Sequence, residues 1–160
     1  MKKKVVLAIL IGIVIIASFL FINQLSKIST FEELVIDKMS NTNFELIDIG
    51  KKDMNTHSRE QAYVKDSLDI DKTLEMLNNL KLAEVKSIPV EKSPEASYYM
   101  DLITENDSYV YLDFYEPSEY IRVGVDGTDF KMEKAFKIVE NEIDFKLLND
   151  ILDKNISNLP

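Results

Sequence analysis

The sequence predicts an α+β protein, in which an N-terminal transmembrane helix is followed by a mostly antiparallel sheet with helices packed on it. Three observations support this class. Strand-like segments follow one another closely in the second half, with turn residues between them, which favours antiparallel pairing. Apolar residues recur at helical spacing before and after those segments. An uncharged apolar stretch stands at the N-terminus.

The apolar stretch runs from Val5 to Ile22 without a charge and follows three lysines. A helix of this length spans about 27 Å, which is close to the hydrocarbon thickness of a bilayer. Lysines favour the cytoplasmic side of a membrane. We therefore expect a cytoplasmic stub at residues 1–4, a single-pass signal anchor at residues 5–22, and a C-terminal domain outside the cell membrane.

A cleaved secretory signal is the alternative, because such signals also begin with lysines and an apolar core. The nearest approach to a small-residue cleavage pattern, Ile15-Ile16-Ala17, is followed by further apolar residues. Both routes export the same domain, so cleavage stays open. Lipid attachment at a processed signal requires a cysteine, and the chain has none.

The charge of the chain is unevenly distributed. All 28 acidic residues lie beyond Lys27, whereas four of the 19 basic residues lie within the first 27 positions. Binding to nucleic acid draws on Lys and Arg contacts to phosphate, so this acidity argues against nucleic acid as a partner. Without cysteine, the outer domain has no disulfide, no catalytic thiol and no zinc site that uses Cys.

Residues 23–42 are expected to form a polar stalk and a short helix. Thr30 and Glu33 match a capping box, the reciprocal pattern of a helix start. One apolar stripe follows at Phe31, Leu34, Val35 and Met39. The outer α+β domain is then expected at residues 43–160.

Two strands are predicted at the start of that domain. Residues 44–49 alternate between apolar and polar side chains and end at Gly50, and residues 61–65 form a weaker strand. A helix follows, with Asp69 or Asp71 as its N-cap. Its apolar residues recur up to about Lys81, at Ile70, Leu74, Leu77 and Leu80.

The second half begins with a proline-containing loop at residues 87–97. Three strands follow, at residues 98–104, 109–115 and 120–125. Asp126-Gly127 is a tight-turn signal, which leads into a short segment at 128–132 and a last strand at 134–139. A closing helix is predicted at 143–152, so the element order is α-β-β-α-β-β-β-(β)-α.

Several short motifs extend over most of residues 43–152. They are Arg59-x-Gln61-Ala62, Ile70-Asp71-Lys72-x-x-x-Glu75-x-Leu77, Lys81-Leu82 and Asn141-x-Ile143-Asp144, arranged around the proline-containing loop and the tyrosine-rich strands. This pattern resembles small exported, membrane-anchored or lipoprotein-like domains of Gram-positive bacteria, which are known mainly as families of unknown function. The resemblance implies an envelope location and this fold, and it carries no catalytic motif. Many relatives of that kind have a lipobox cysteine, which this chain lacks.

The sequence shows no pattern of a catalytic, cofactor or metal site. His57 is the only histidine and lies in a polar segment, so we expect a solvated loop residue. No G-x-S-x-G motif is present, and the Asp126 turn lacks the twelve-residue calcium-loop pattern. We therefore predict no catalytic residues, no cofactor and no metal, and a chain that is not an enzyme.

Tyrosines in the three-strand segment form the most informative cluster. Alternation assigns Val110, Leu112 and Phe114 to the core, together with Ile121, Val123 and Val125. The opposite side is predicted to be a partner-binding face of Tyr109, Tyr111, Tyr115, Tyr120 and Arg122. Tyr and Arg are favoured at protein contacts, although tyrosine also suits a half-buried strand, and the Thr30 helix could cover this face.

The expected function is a non-enzymatic binding or accessory module of the cell envelope. Its partner would be an envelope protein or a wall component, and the membrane would hold it through residues 5–22. The alternative is a small carboxylate-based hydrolase or an inhibitor- or immunity-type factor. Two carboxylates that converge in a deep pocket would favour that alternative.

Overall fold

The structure, a computed structural model, describes residues 28–40, 42–90, 94–106, 108–117, 119–127 and 129–156. The predicted signal anchor at residues 5–22 lies outside this part of the chain. Within the described residues, no helix has the length and apolarity needed to cross a bilayer. The elements are β1 (Ile28–Thr30), α1 (Phe31–Leu34), a 3-10 helix (Ile36–Lys38), β2 (Phe44–Asp53), β3 (Arg59–Val64), α2 (Ser67–Asn78), β4 (Lys81–Val85), β5 (Ala96–Thr104), β6 (Tyr109–Glu116), β7 (Tyr120–Asp126), β8 (Lys131–Glu140) and α3 (Phe145–Ile156).

The strands form one antiparallel sheet in the order β1-β4-β8-β7-β6-β5-β2-β3. The run from β5 to β8 is a meander, in which each strand pairs with the next. The β2–β3 hairpin adds to one side of the meander and β4 adds to the other, so α2 carries the chain from one end of the sheet towards the other. The predicted α+β class with a mostly antiparallel sheet is confirmed.

The helices pack on one face of the sheet, which we name the helix-covered face. Phe145 of α3 contacts the stacked rings of Tyr98 and Phe114, whose centroids are 5.5 Å apart. Ile70 and Leu77 of α2 are buried in the same core, as are Phe31 and Val35 around α1. The packed domain therefore begins at β1, earlier than the predicted boundary at residue 43.

Side-chain caps fix where the helices start. The capping box at Thr30 is confirmed, because the Glu33 amide donates to Thr30 Oγ1 at 3.1 Å and the Thr30 amide donates to Glu33 Oε2 at 3.0 Å. The cap of α2 is Asp66, whose Oδ1 accepts from the Leu68 amide at 3.1 Å. The prediction of Asp69 or Asp71 at this position was wrong, since Asp69 lies in the first turn and is buried.

Two strands differ from the prediction in their bounds, and two others were not predicted. β2 continues past Gly50 to Asp53, and β8 is one ten-residue strand where the sequence suggested a short segment and a strand. Residues 81–85 form β4, whereas the sequence predicts a helix that ends at about Lys81 and no strand directly after it. β1 was also missed, because its three residues pair only with β4.

Candidate functional site

The face of the sheet opposite the helices carries the predicted tyrosines, and no described helix packs on it. We name it the open face. Val110, Leu112 and Phe114 are buried on the helix-covered side, so the predicted alternation of β6 and β7 is confirmed. Tyr109 and Tyr115 are 37% and 36% exposed. Tyr111 and Tyr120 are half-buried, and about half of the Arg122 side chain is exposed.

Cross-strand pairing arranges the open face in three rows that run across β3, β2, β5, β6, β7 and β8. The acidic row consists of Tyr63, Asp48, Asp101, Tyr111, Gly124 and Glu133. The central row consists of Gln61, Gly50, Tyr99, Asp113, Arg122 and Ala135. The basic row contains Arg59, Lys52, Ser97 and Tyr115, and on the neighbouring strands Tyr120 and Lys137.

Two tyrosine rings on this face lie directly over glycines of the next strand. A Cβ built at Gly50 would lie 1.9 Å from Cε1 of Tyr99, and one built at Gly124 would lie 1.8 Å from Cζ of Tyr111. Each glycine is the register partner of its tyrosine, so the ring occupies the space that a side chain would take. Tyr99 and Tyr111 therefore contribute to the stability of the sheet, an arrangement known from aromatic rescue of strand glycines.

Charges of like sign face each other on the open face. Asp48 is paired in register with Asp101, and Lys52 is paired in register with Arg59. Directly opposed like charges destabilise an antiparallel pair. Asp48 is partly compensated, because the amide of Gln61 donates to both of its carboxylate oxygens at 2.9 and 3.1 Å. The face thus separates negative from positive charge at a cost in stability.

Two carboxylates of this face, Asp101 and Asp113, are harder to ionise than usual. Burial raises the pKa of Asp101, and the nearby carboxylates of Asp48 and Asp113 raise it further. Burial also raises the pKa of Asp113, and the guanidinium of Arg122 opposes that shift from 3.9 Å. Both shifts show that the negative charge lies in a partly dehydrated surface.

A cavity of about 790 Å³ opens at the basic end of this face. Tyr99 and Tyr115 contribute ring surface to it, and the segment of Ile88, Pro89 and Val90 between β4 and β5 lines it as well. Its charged lining includes Lys52, Arg59, Arg122 and Asp113. Concave sites of about 300–1,000 Å³ are typical of ligand binding.

Two of these cations have no acidic partner in the described part of the chain. No carboxylate oxygen there lies within 4.0 Å of the Lys52 amine or the Arg59 guanidinium. By contrast, Lys51 points to the other side of β2, where its Nζ donates to Asn149 Oδ1 at 2.9 Å. Lys52 and Arg59 therefore remain available to an anionic group in the cavity.

The structure distributes four of the five predicted site residues over the three rows. Tyr111 lies in the acidic row, Arg122 in the central row, and Tyr115 and Tyr120 in the basic row, while Tyr109 lies beyond the acidic row beside Asp126. Their role in binding stays a prediction. The Thr30 helix does not cover them, because Phe31 and Val35 are buried in the core of the helix-covered side.

Sequence reasoning missed Lys52, Arg59 and the segment at residues 88–90. The pair of cations had a local signal, since both residues flank the turn of the β2–β3 hairpin. The segment had none, because nothing in its own residues indicates the strands against which it lies. His57 is exposed in the hairpin turn, as expected, with a φ of 60°.

Other candidate centres are weaker. Among the described residues, no group of three or more His, Asp or Glu side chains could hold a metal ion. A second concavity, of about 470 Å³, lies between α2 and the segment before α3, where Lys72, Glu75 and Glu142 mix both charges without order. No protein-family model matches the chain, and neither a curated protein nor a solved structure matches it.

Proposed function

We propose that the chain is a non-enzymatic binding or accessory module of the cell envelope, anchored in the membrane through residues 5–22, whose outer domain contacts its partner with the open face of the sheet. One observation carries the proposal. Two like-charged cross-strand pairs, Asp48–Asp101 and Lys52–Arg59, stand on the face that no described helix covers. Their arrangement opposes stability, so a gain elsewhere, in binding, accounts for it.

Distance along the chain supports a membrane-proximal partner. Only six peptide steps separate Ile22, the last residue of the predicted anchor, from Ile28, the first residue of β1. Even a fully extended chain of this length reaches at most about 22 Å. An anchored domain would therefore act on molecules at the outer membrane surface.

The composition of the face also favours binding. Tyrosine and arginine combine a large rigid contact area with a polar tip, and such residues dominate the energetics of protein contacts. Tyr115 and Arg122 are both accessible and both line the cavity. The carboxylate hydrolase has less support, since Asp113 and Glu60 line the cavity but strand alternation directs Glu60 to the other side of β3.

Site-specific crosslinking tests the proposal. A photoreactive phenylalanine analogue is placed at Tyr115 on the open face of the full chain, in membranes of the native host. The matched control places it at Leu68, which is 59% exposed on α2. We expect a discrete crosslinked product from position 115 and none from position 68. Equal products at both positions, or none at position 115, would contradict the use of the open face.

A further inference from the structure

The cavity at the basic end of the open face has the features of a site for an acidic group. Lys52 and Arg59 flank it without a carboxylate partner among the residues that the structure describes. Burial raises the pKa of Tyr99, which also lines the cavity, and the charge of Arg59 opposes that rise. A guanidinium beside an ammonium favours carboxylate or phosphate oxygens.

The acidic row restricts which anionic molecules can lie on this face. It contains Asp48, Asp101 and Glu133 and no cation among its six positions. Successive rows are two residues apart along each strand, so the acidic and basic rows are about 14 Å apart at about 3.4 Å per residue. A uniformly anionic polymer that entered the cavity and continued along the strands would meet these carboxylates.

A partner that fits both the basic cavity and the acidic row carries positive as well as negative charges. We infer that the open face binds a polypeptide segment of mixed charge, with acidic side chains in the cavity beside Lys52 and Arg59 and basic side chains over Asp48 and Asp101, about four extended residues away. The ring surface of Tyr99 and Tyr115 contacts the apolar parts of that segment. This inference rests on the proposed function, because it names the partner of the same face.

The test measures fluorescence anisotropy of labelled synthetic peptides with the full chain in detergent micelles. The first peptide carries two glutamates and two lysines separated by about three uncharged residues, so that the nearest glutamate and lysine are about four residue steps apart, which matches the row spacing. In the second peptide all four charged positions are glutamate, and in the third all four are glutamine. Inorganic polyphosphate serves as the competitor.

We expect the mixed peptide to bind at least about tenfold more tightly than either of the others, which is a difference of about 1.4 kcal/mol. The double variant Lys52→Glu with Arg59→Glu should weaken the mixed peptide by a similar factor. Asp101→Lys should weaken the mixed peptide and strengthen the all-glutamate peptide. A control variant, Lys72→Glu with Lys146→Glu, changes the net charge equally on the helix-covered side and should leave binding unchanged.

Circular dichroism melting checks that each variant is folded. The inference is overturned if the mixed peptide shows no saturable binding or if the all-glutamate peptide binds as tightly as the mixed peptide. It is also overturned if polyphosphate displaces the mixed peptide at equal charge concentration. Each of these results leaves the proposed function standing when position 115 still forms its crosslink. Loss of that crosslink, with peptide binding intact, would instead count against the proposed function.

Discussion

The two faces of the sheet differ in how their polar and charged groups are paired. On the helix-covered face, the buried carboxylate of Asp69 accepts a hydrogen bond from Lys154 Nζ at 2.6 Å, and the Tyr98 hydroxyl donates to Glu116 at 2.9 Å. On the open face, Asp48 stands opposite Asp101 and Lys52 stands opposite Arg59. These polar groups of the helix-covered side are thus matched by opposite or hydrogen-bonding partners, whereas the two pairs on the open face bring like charges together.

This difference separates the requirements of folding from those of binding. An unpaired buried charge destabilises a fold strongly, so the helix-covered face has little freedom in its polar residues. Exposed like charges are screened by water and cost only a fraction of a kcal/mol to about 1 kcal/mol. The open face can therefore retain an unfavourable charge pattern, while Tyr99 and Tyr111 over their glycines still hold its strands together.

The largest expected effect separates two neighbours on β6. Leu112 is fully buried, so Leu112→Ala should lower the free energy of unfolding by about 2–5 kcal/mol. Tyr111→Ala should lower it by about 1 kcal/mol, because the half-exposed ring is lost from Gly124. Chemical denaturation followed by near-UV circular dichroism measures both. If Tyr111→Ala were the more damaging change, the assignment of the two faces would be wrong.

A double-mutant cycle sharpens the role of the glycines. Gly124→Ala places a methyl group where the Tyr111 ring lies, so the ring must move. The contribution of the ring to stability is therefore already lost in the Gly124→Ala variant. The cost of Tyr111→Ala should then shrink by about 0.5–1 kcal/mol in the Gly124→Ala background. Gly127→Ala is the matched control, since no atom of Tyr111 is among the nearest neighbours of a Cβ built there. Equal coupling at both glycines would refute a specific ring-over-glycine contact.

Removal of one carboxylate should stabilise the open face. Burial and the neighbouring carboxylates hold the pKa of folded Asp101 above its unfolded value, so folding disfavours the ionised form. The resulting penalty is absent below the usual carboxyl range and develops as the pH rises through the folded pKa. Asp101→Asn should therefore raise the free energy of unfolding at pH 7 by up to about 1 kcal/mol, and the gain should vanish near pH 3.

The control for this change is Glu45→Gln, which removes an exposed carboxylate from β2. A pH-independent gain in Asp101→Asn, or the same gain in Glu45→Gln, would show that the opposed carboxylates are not the cause.

The smallest expected effect on stability belongs to the basic row. Lys52→Glu replaces a like-charged pair with an opposite pair against Arg59, so the free energy of unfolding should rise by a few tenths of a kcal/mol. The same change should weaken the mixed-charge peptide in the anisotropy assay. A loss of stability together with a loss of binding would mean that Lys52 has a structural partner.

Local patterns in the sequence predict those parts of the fold that depend on residues close together in the chain. Alternation gives the inward residues of β6 and β7, because hairpin neighbours share one register with a period of two. β4 was missed because Lys81 follows α2 almost directly, and the helical spacing of Leu77 and Leu80 obscures the change to a strand. Asp69 was misread as a cap because its partner, Lys154, lies 85 residues away.

The candidate site likewise has features that local sequence patterns predict and features that depend on long-range strand pairing. The tyrosines could be found from spacing alone, whereas their packing over Gly50 and Gly124 depends on which strands become neighbours. The pairing of β2 with β5 brings the cations to Tyr99, and that pairing joins segments about fifty residues apart. No periodicity within a single strand contains this information.

Because synthesis begins at the N-terminus, the strand order also determines when the strand pairing of the sheet can be completed. The β2–β3 hairpin finds its inner neighbour only when β5 is present, and β4 pairs with β8, whose last paired residue is Glu140. Pairings of such long range make folding slow, on the scale of milliseconds to seconds for sheets of this kind. The sheet of a nascent chain therefore remains incomplete until nearly all of its strands have left the ribosome.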